Sequence, residues 1–471
     1  MSAHIETDIC IIGAGSGGLS VAAGAVQMGA RVVLIEKDKM GGDCLNTGCV
    51  PSKALLAAGK HAQSMRVPEP FGVEPVTPNV DFSAAMAHVH AVIKGIEPHD
   101  SVERFESLGV KVVLGPAAFV SPTEVEVNDT RIRAKRFVIA TGSRASVPPI
   151  PGIDETDHFT NENIFENVDR PRHLLVVGGG PIGMEMAQAH RRLGAEVTVL
   201  ELFNALPKDD PDLAAVVVKA VRDEGVAIRE QVQIERVSGS AGDVTVLLKS
   251  GEEIRGSHLL IAAGRAPNVD GLGLDAAGVK YSRRGIEVDA RLRTSNKKIF
   301  AVGDAKGGLM FTHLAGYDAG IVIRNLLFKL PTKANYTAMP WVTYTDPELG
   351  QVGLTEEQAR ERFGDAVKAT TWEYAENDRA RAERATDGLI KVVTGKRGRV
   401  LGAGIAGAHA GELLQPWQIA VAKGFKMGDM AGMIAPYPTY SEISKRAAGA
   451  YFTEALFSPR TQKIVRFLLK F

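Results

Sequence analysis

Two cysteines and a lysine carry the most chemistry per residue in this 471-residue chain. They sit in Gly41-Gly42-Asp43-Cys44-Leu45-Asn46-Thr47-Gly48-Cys49-Val50-Pro51-Ser52-Lys53. In a regular helix, residues five apart rise ~7.5 Å. A disulfide needs Cα atoms within roughly 7 Å. A Cys44–Cys49 bridge therefore requires an irregular turn, for which Gly48 supplies backbone freedom. Pro51 suits the first turn of a following helix, and Cys49 and Lys53 then share one face of it. Cys-x4-Cys by itself leaves two readings open, a redox pair or two buried cysteines acting as small hydrophobes.

A nucleotide-binding pattern precedes this segment and recurs later. Apolar Ile9–Ile12 leads into Gly13-x-Gly15-x-x-Gly18, a helix, and a strand over 31–35 that ends at Glu36. Apolar Leu174–Val177 leads into Gly178-x-Gly180-x-x-Gly183, a helix, and a strand over 196–200 that ends at Glu201. Such glycines let backbone approach a pyrophosphate, the helix N-terminus supplies free N–H groups, and the carboxylate accepts ribose hydroxyls. One copy is weak evidence. Two, each with strand and acid in place, predict two dinucleotide sites.

Together these strings resemble the flavin-dependent pyridine nucleotide–disulfide oxidoreductases, the family of dihydrolipoamide dehydrogenase, glutathione reductase and mercuric reductase. The resemblance extends over essentially the whole chain. It implies an α/β fold with two Rossmann-like units and a C-terminal α+β dimerisation domain. The corresponding segments are 1–150 and 269–335 for FAD, 151–268 for NAD(P), and 336–471 for the interface. It assigns the first glycine turn to FAD and the second to the nicotinamide cofactor. Gly42, Thr141, Gly142, Gly303, Asp304 and Gly264 join the cofactor-binding positions, with Asp304 on the ribityl chain. Cys49 lies against the flavin and Cys44 is the outer, substrate-facing sulfur of a redox disulfide. Lys53 sits beside the flavin, paired with Glu185.

Two features bear on specificity. Glu201 repels the extra phosphate of NADP, and no basic residue follows before Lys208, so NAD(H) is expected over NADP(H). Near the C-terminus, disulfide-reducing members carry a histidine, with a glutamate a few residues on, that serve the partner subunit's cysteines. This chain reads Ala435-Pro436-Tyr437-Pro438-Thr439-Tyr440-Ser441-Glu442. Tyr437 stands in the histidine's place, and a phenol is a poor base near neutrality. Tyrosine there and Asp43 in the cysteine motif resemble the mercuric-reductase branch. That enzyme's second, C-terminal cysteine pair has no counterpart, since no cysteine follows Cys49.

Composition sets bounds. Lys+Arg and Asp+Glu both total 55, which gives no reason to expect nucleic acid or an anionic surface as partner. Three cysteines do not make a disulfide framework, so a bridged pair reads as catalytic in a reducing, cytoplasmic compartment. No export signal or bilayer-spanning stretch is expected. The 11 histidines are scattered and no metal site is expected. The apolar tail 464–471 is expected to be a packed terminal helix. A homodimer with a small-molecule or protein-bound disulfide or oxidant as acceptor is the expected assembly.

Overall fold

The computed structural model describes residues 3–66 and 71–471. Strand β1 (Ala3–Ile12) is longer than its apolar core because its early residues pair in parallel with the strand at Thr130–Ile139. The chain then crosses through helix α1 (Ser16–Gln27) to β2 (Val32–Glu36), parallel to β1 with Ile9 opposite Val32. Right-handed βαβ geometry places α1's N-terminus at the carboxyl edge of β1. The short helix α2 (Gly42–Asn46) and the long helix α3 (Cys49–Arg66) follow. The chain returns to this sheet much later, when Ile299–Ala301 pairs in parallel with Phe137–Ile139.

The second unit repeats the plan. β3 (His173–Val177), α4 (Pro181–Arg192) and β4 (Glu196–Leu200) form its start. They belong to a four-stranded parallel sheet that also contains Ala227–Arg229 and His258–Ile261. Strands buried on both faces should be continuously apolar, and β2 is buried throughout. A two-stranded antiparallel joint, Ser143–Ala145 with Arg265–Pro267, connects the units.

Residues 331–339 contain no helix or strand. Beyond them a five-stranded antiparallel sheet opens with Pro340–Thr343 and carries the helices Gln415–Lys423 and Glu442–Leu456. The architecture is thus α/β with two Rossmann-like units and an α+β C-terminal region.

Buried charge links the second unit to this third sheet. Lys391 Nζ, on a central strand, lies 2.8 Å from Asp210 Oδ1 and 2.5 Å from Asp212 Oδ2, at the start of the helix Pro211–Asp223. Lys391 and Asp210 are 5% and 2% exposed. Removing one partner of such a pair strands the other charge in a poorly solvated place. Lys391→Met is expected to cost about 3–5 kcal/mol, read as a lowered urea midpoint with the isolated parts still helical by circular dichroism.

Candidate active site

A cavity of about 2930 Å³ runs between the two nucleotide units and the C-terminal sheet. That is several times the roughly 300–1,000 Å³ of a single small-ligand pocket. Gly13, Gly15, Glu36, Gly42, Cys44, Cys49, Lys53, Thr141, Gly142, Gly303 and Asp304 line it on one side. Glu185, Gly178, Gly180, Glu201 and Gly264 line the other. Gly18 and Gly183 lie behind the wall, and the reason is steric.

The two phosphate turns match atom for atom. Gly13 and Gly178 have φ of +102° and +110°, and a Cβ on either would strike the carbonyl oxygen of Ala140 (2.3 Å) or Ala262 (2.5 Å). A Cβ on Gly18 or Gly183 would lie 1.8 or 1.9 Å from the carbonyl oxygen of Gly13 or Gly178. The middle glycines face open space, with nothing near Gly180 and only Gly42 Cα at 3.8 Å from Gly15. Each following helix lacks a side-chain cap and has no acidic residue in its first turn. Such an end presents unpaired N–H groups and the positive end of the helix dipole to an anion. Both turns therefore fit a dinucleotide pyrophosphate.

The acidic residues are equally matched. Glu36 accepts from Ala14 N–H (2.7 Å) and Asp38 N–H (2.9 Å). Glu201 accepts from Gly179 N–H (2.5 Å) and Phe203 N–H (2.8 Å). Leu202 and Phe203, which follow Glu201, are exposed and apolar.

The redox segment is docked on the first turn by backbone contact. Gly41 N–H donates to Ala14 O (2.9 Å). Gly42, at φ +58°, has space for no Cβ, which would stand 2.8 Å from Gly15 Cα. The helix breaks at Thr47–Gly48 between the cysteines, as a close pairing requires. Gly48 serves space rather than positive φ. Its Cβ would meet Asp43 Oδ2 at 2.7 Å and Asp43 O at 2.9 Å.

Cys44 and Cys49 are free thiols in this structure. Cys49 opens onto the cavity, and its Sγ lies 3.2 Å from Thr312 Oγ1 in hydrogen-bonding contact. The hydrogen bond from the Cys44 thiol lowers the Cys49 thiol to about 6 against the opposing effect of burial, and Thr312 and the Lys53 charge add to the lowering. Cys44 moves up, first through the same shared proton and then through burial. The thiolate of the pair thus resides on Cys49, while Cys44 keeps the proton. Cys10, fully buried, is pushed up by burial alone.

Lys53 Nζ donates to Glu185 Oε2 (2.8 Å), so the expected pair is present. Glu185 is 4% exposed, and its other oxygen accepts from Tyr344 N–H (2.9 Å). Lys53 Nζ also lies 4.4 Å above the Tyr344 ring, a cation–π contact. Asp304 accepts from Ser143 Oγ (2.5 Å). Asp43 accepts from Thr47 Oγ1 (3.0 Å), Asn161 Nδ2 (2.9 Å) and Arg265 (3.2 Å). Thr141 and Gly142 are tied to Asn268 by hydrogen bonds of 2.8 and 3.0 Å.

Tyr437 and Glu442 do not line the cavity of their own chain. Tyr437 is 69% exposed, and its hydroxyl donates to Asp378 Oδ2 (3.2 Å), which raises the phenol further. Thr312, Tyr344, Arg265 and Asp378 have no motif in the sequence that marks them. Only Thr312 has a local signal, as the first residue of a helix after the Asp304 turn. Among the described residues there is no metal-ligand cluster and no helix long and apolar enough to cross a membrane.

Comparison with known proteins agrees with this geometry. The family model for pyridine nucleotide-disulphide oxidoreductase matches residues 7–319, and its dimerisation domain matches 339–448. The chain belongs to the FAD- and NAD(P)H-dependent pyridine nucleotide-disulphide oxidoreductases, and the matched dimerisation domain supports a homodimer. It is 37% identical to mercuric reductase of Bacillus cereus over 451 residues, 94% of this chain and 71% of that one. It is 35% identical to dihydrolipoyl dehydrogenase of Thermus scotoductus over 464 residues, 95% and 98% of the two chains. The HOCl-induced flavoprotein disulfide reductase RclA of Escherichia coli superposes with a TM-score of 0.85 at 29% identity, covering 94% and 99%.

In the reduced protein, the alkylation rate of Cys49 should rise with pH through a midpoint well below the ordinary thiol value. Cys44→Ala removes the leading stabilising hydrogen bond and should move that midpoint upward. A midpoint unchanged by Cys44→Ala would show that the thiols are not coupled.

Proposed function

We propose that this protein is an NADH-dependent, homodimeric, cytoplasmic disulfide oxidoreductase of the mercuric-reductase-like branch. In this reading Cys44–Cys49 passes electrons to a small soft electrophile or a disulfide. The FAD-binding parts are 1–150 and 269–335, the nicotinamide part is 151–268, and the interface part is 336–471. The observation that carries the proposal is the opening of the Cys44/Cys49 pair onto a cavity shared by both phosphate turns and the Lys53–Glu185 pair.

Gly13, Gly15 and Glu36, with Gly42, Thr141, Gly142, Gly303 and Asp304, would hold FAD. Gly178, Gly180, Glu201 and Gly264 would hold the nicotinamide dinucleotide, with Gly18 and Gly183 keeping each helix tight on its turn. Bound FAD supplies a relay for an electron pair between the nicotinamide and the disulfide. Two electrons and two protons convert the disulfide to two thiols. The residues then divide the work. Cys49 holds the negative charge, supported by Thr312 and Lys53. Glu185 and the Tyr344 ring fix the Lys53 ammonium. Cys44 is the sulfur offered to the acceptor. Tyr437 and Glu442 act from the partner subunit.

Dihydrolipoyl dehydrogenase is the second reading, supported by the 35% identical relative. Tyr437 opposes it. A general base is worth about 10²–10⁴-fold, and this phenol, bound to Asp378, is shifted away from that role.

Reduction by NADH should expose two new thiols in the holoenzyme, and none in Cys44→Ser. With Glu201 bonded to Gly179 and Phe203, kcat/KM for NADH should exceed that for NADPH by roughly tenfold or more, since 1.4 kcal/mol suffices. The reverse order would remove the assignment of Glu201.

Tyr437→His should raise lipoamide-linked turnover at least about tenfold. High wild-type dihydrolipoamide activity that the histidine does not improve would make the second reading the first.

A further inference from the structure

The last helix, α5 (Pro459–Leu468), meets the end of the preceding helix Glu442–Leu456 but buries no residue of its own. Ser458 caps it, accepting from Thr461 N–H at 3.3 Å. The expectation of a packed terminal helix is not met, because the helix has no buried residue. Phe467, Leu468, Leu469 and Phe471 are 58%, 60%, 79% and 96% exposed. A contiguous exposed apolar ledge of this kind marks an interaction site for protein or membrane.

Charge identifies what covers it. From Ala455 to Phe471 the charged side chains are Arg460, Lys463, Arg466 and Lys470, with no acidic residue, in a chain whose total charge is zero. At 100° per residue, Arg460, Lys463 and Arg466 share one side of the helix. Ile464, Val465 and Leu468 occupy the opposite side, Phe467 lies at the boundary, and Lys470 and Phe471 follow beyond the last turn. The Phe467 and Phe471 rings contact each other, with centroids 5.5 Å apart. A short helix with an aliphatic face, basic residues on the other and phenylalanines at its end is suited to lie in a lipid interface. A two-fold-related copy is the less complementary partner. The matched dimerisation domain ends at 448, before α5.

We propose that α5 docks the enzyme on an anionic phospholipid bilayer surface, with its apolar face in the headgroup–acyl boundary and its basic side toward acidic lipid. This revises the expectation of no membrane partner, while the bilayer remains uncrossed. The cytoplasmic leaflet carries the needed negative potential. The contact would restrict the enzyme to acceptors that arise at, or diffuse along, that surface.

The test is co-sedimentation of the full-length holoenzyme with vesicles of phosphatidylcholine alone or with 30% phosphatidylglycerol, at low and high salt. Binding should be about tenfold or more stronger to the acidic vesicles and should weaken with salt. Arg466→Glu/Lys470→Glu and, separately, Phe467→Ser/Leu468→Ser should each reduce it by roughly tenfold or more. FAD content, oligomeric state and NADH-linked turnover in solution should stay unchanged. Absence of vesicle binding, or binding indifferent to both variants, overturns the proposal. Dissociation of the dimer by the apolar variant would assign α5 to the second copy and would overturn it as well.

Discussion

The site depends on backbone touching backbone where no side chain could stand. Three such contacts converge on the first phosphate turn. α1 is pressed onto Gly13 through Gly18, the turn itself passes under Ala140 at Gly13, and α2 is pressed onto Gly15 through Gly42. A single methyl at Gly18 would overlap a carbonyl oxygen at 1.8 Å, an overpacking that must move the helix. These approaches fix two things at once. They aim free helix N–H groups at one spot, and they place the redox segment one glycine away from it. The second turn repeats the first two contacts and lacks the third, as a unit that binds a dinucleotide but carries no thiols would require.

Around this backbone frame the parts share one apolar core, to which Leu55, Val176 and Leu349 each contribute, and charged pairs cross the same joints. Lys53–Glu185 joins α3 to α4, Lys391–Asp210 joins the C-terminal sheet to the second unit, and Arg192 joins Glu224 to Asp346. Buried pairs of this kind give little net stability compared with apolar packing, yet breaking one is costly. They therefore specify a relative placement. Glu185 shows the consequence most directly. One oxygen holds Lys53 and the other the backbone of Tyr344, so a single carboxylate sets the distance between the redox helix, the second nucleotide unit and the C-terminal sheet.

What could be read from the sequence follows the same division. The glycine turns, Glu36, Glu201 and the Cys44–Cys49–Lys53 string were legible because each is local, with spacing that one helix or turn enforces. Glu185 was legible through its place beside Gly183. Thr312 was not, since it meets Cys49 across 263 positions of chain. Tyr344, Arg265 and Asp378 are likewise distant contacts with no repeating pattern to announce them. Gly48 was recognised as necessary but for the wrong reason, because close packing against Asp43 and a positive φ leave the same residue in a sequence. The terminal helix shows the opposite limit. Its apolar tail pointed to a packed helix, but apolar composition does not say whether the helix meets protein.

The pair of thiols is electrostatically lopsided, and this narrows the chemistry. Lys53 supports negative charge on Cys49, whereas Asp43, one residue before Cys44, opposes it. The groups that set the ionisation of Cys44 are Cys49, Thr312 and Ser16, a thiol and two hydroxyls. Neither hydroxyl is a base near neutral pH, and Cys49 holds the Cys44 proton in a shared hydrogen bond. Cys44 thus keeps its proton until something removes it. A dithiol substrate needs that removal done by a base, whereas a soft metal ion or a strongly electrophilic oxidant displaces the proton as it bonds to sulfur. Position 437 carries a phenol rather than an imidazole, and under the function proposed above the acceptor is of the second kind, one whose bonding to sulfur itself drives loss of the thiol proton.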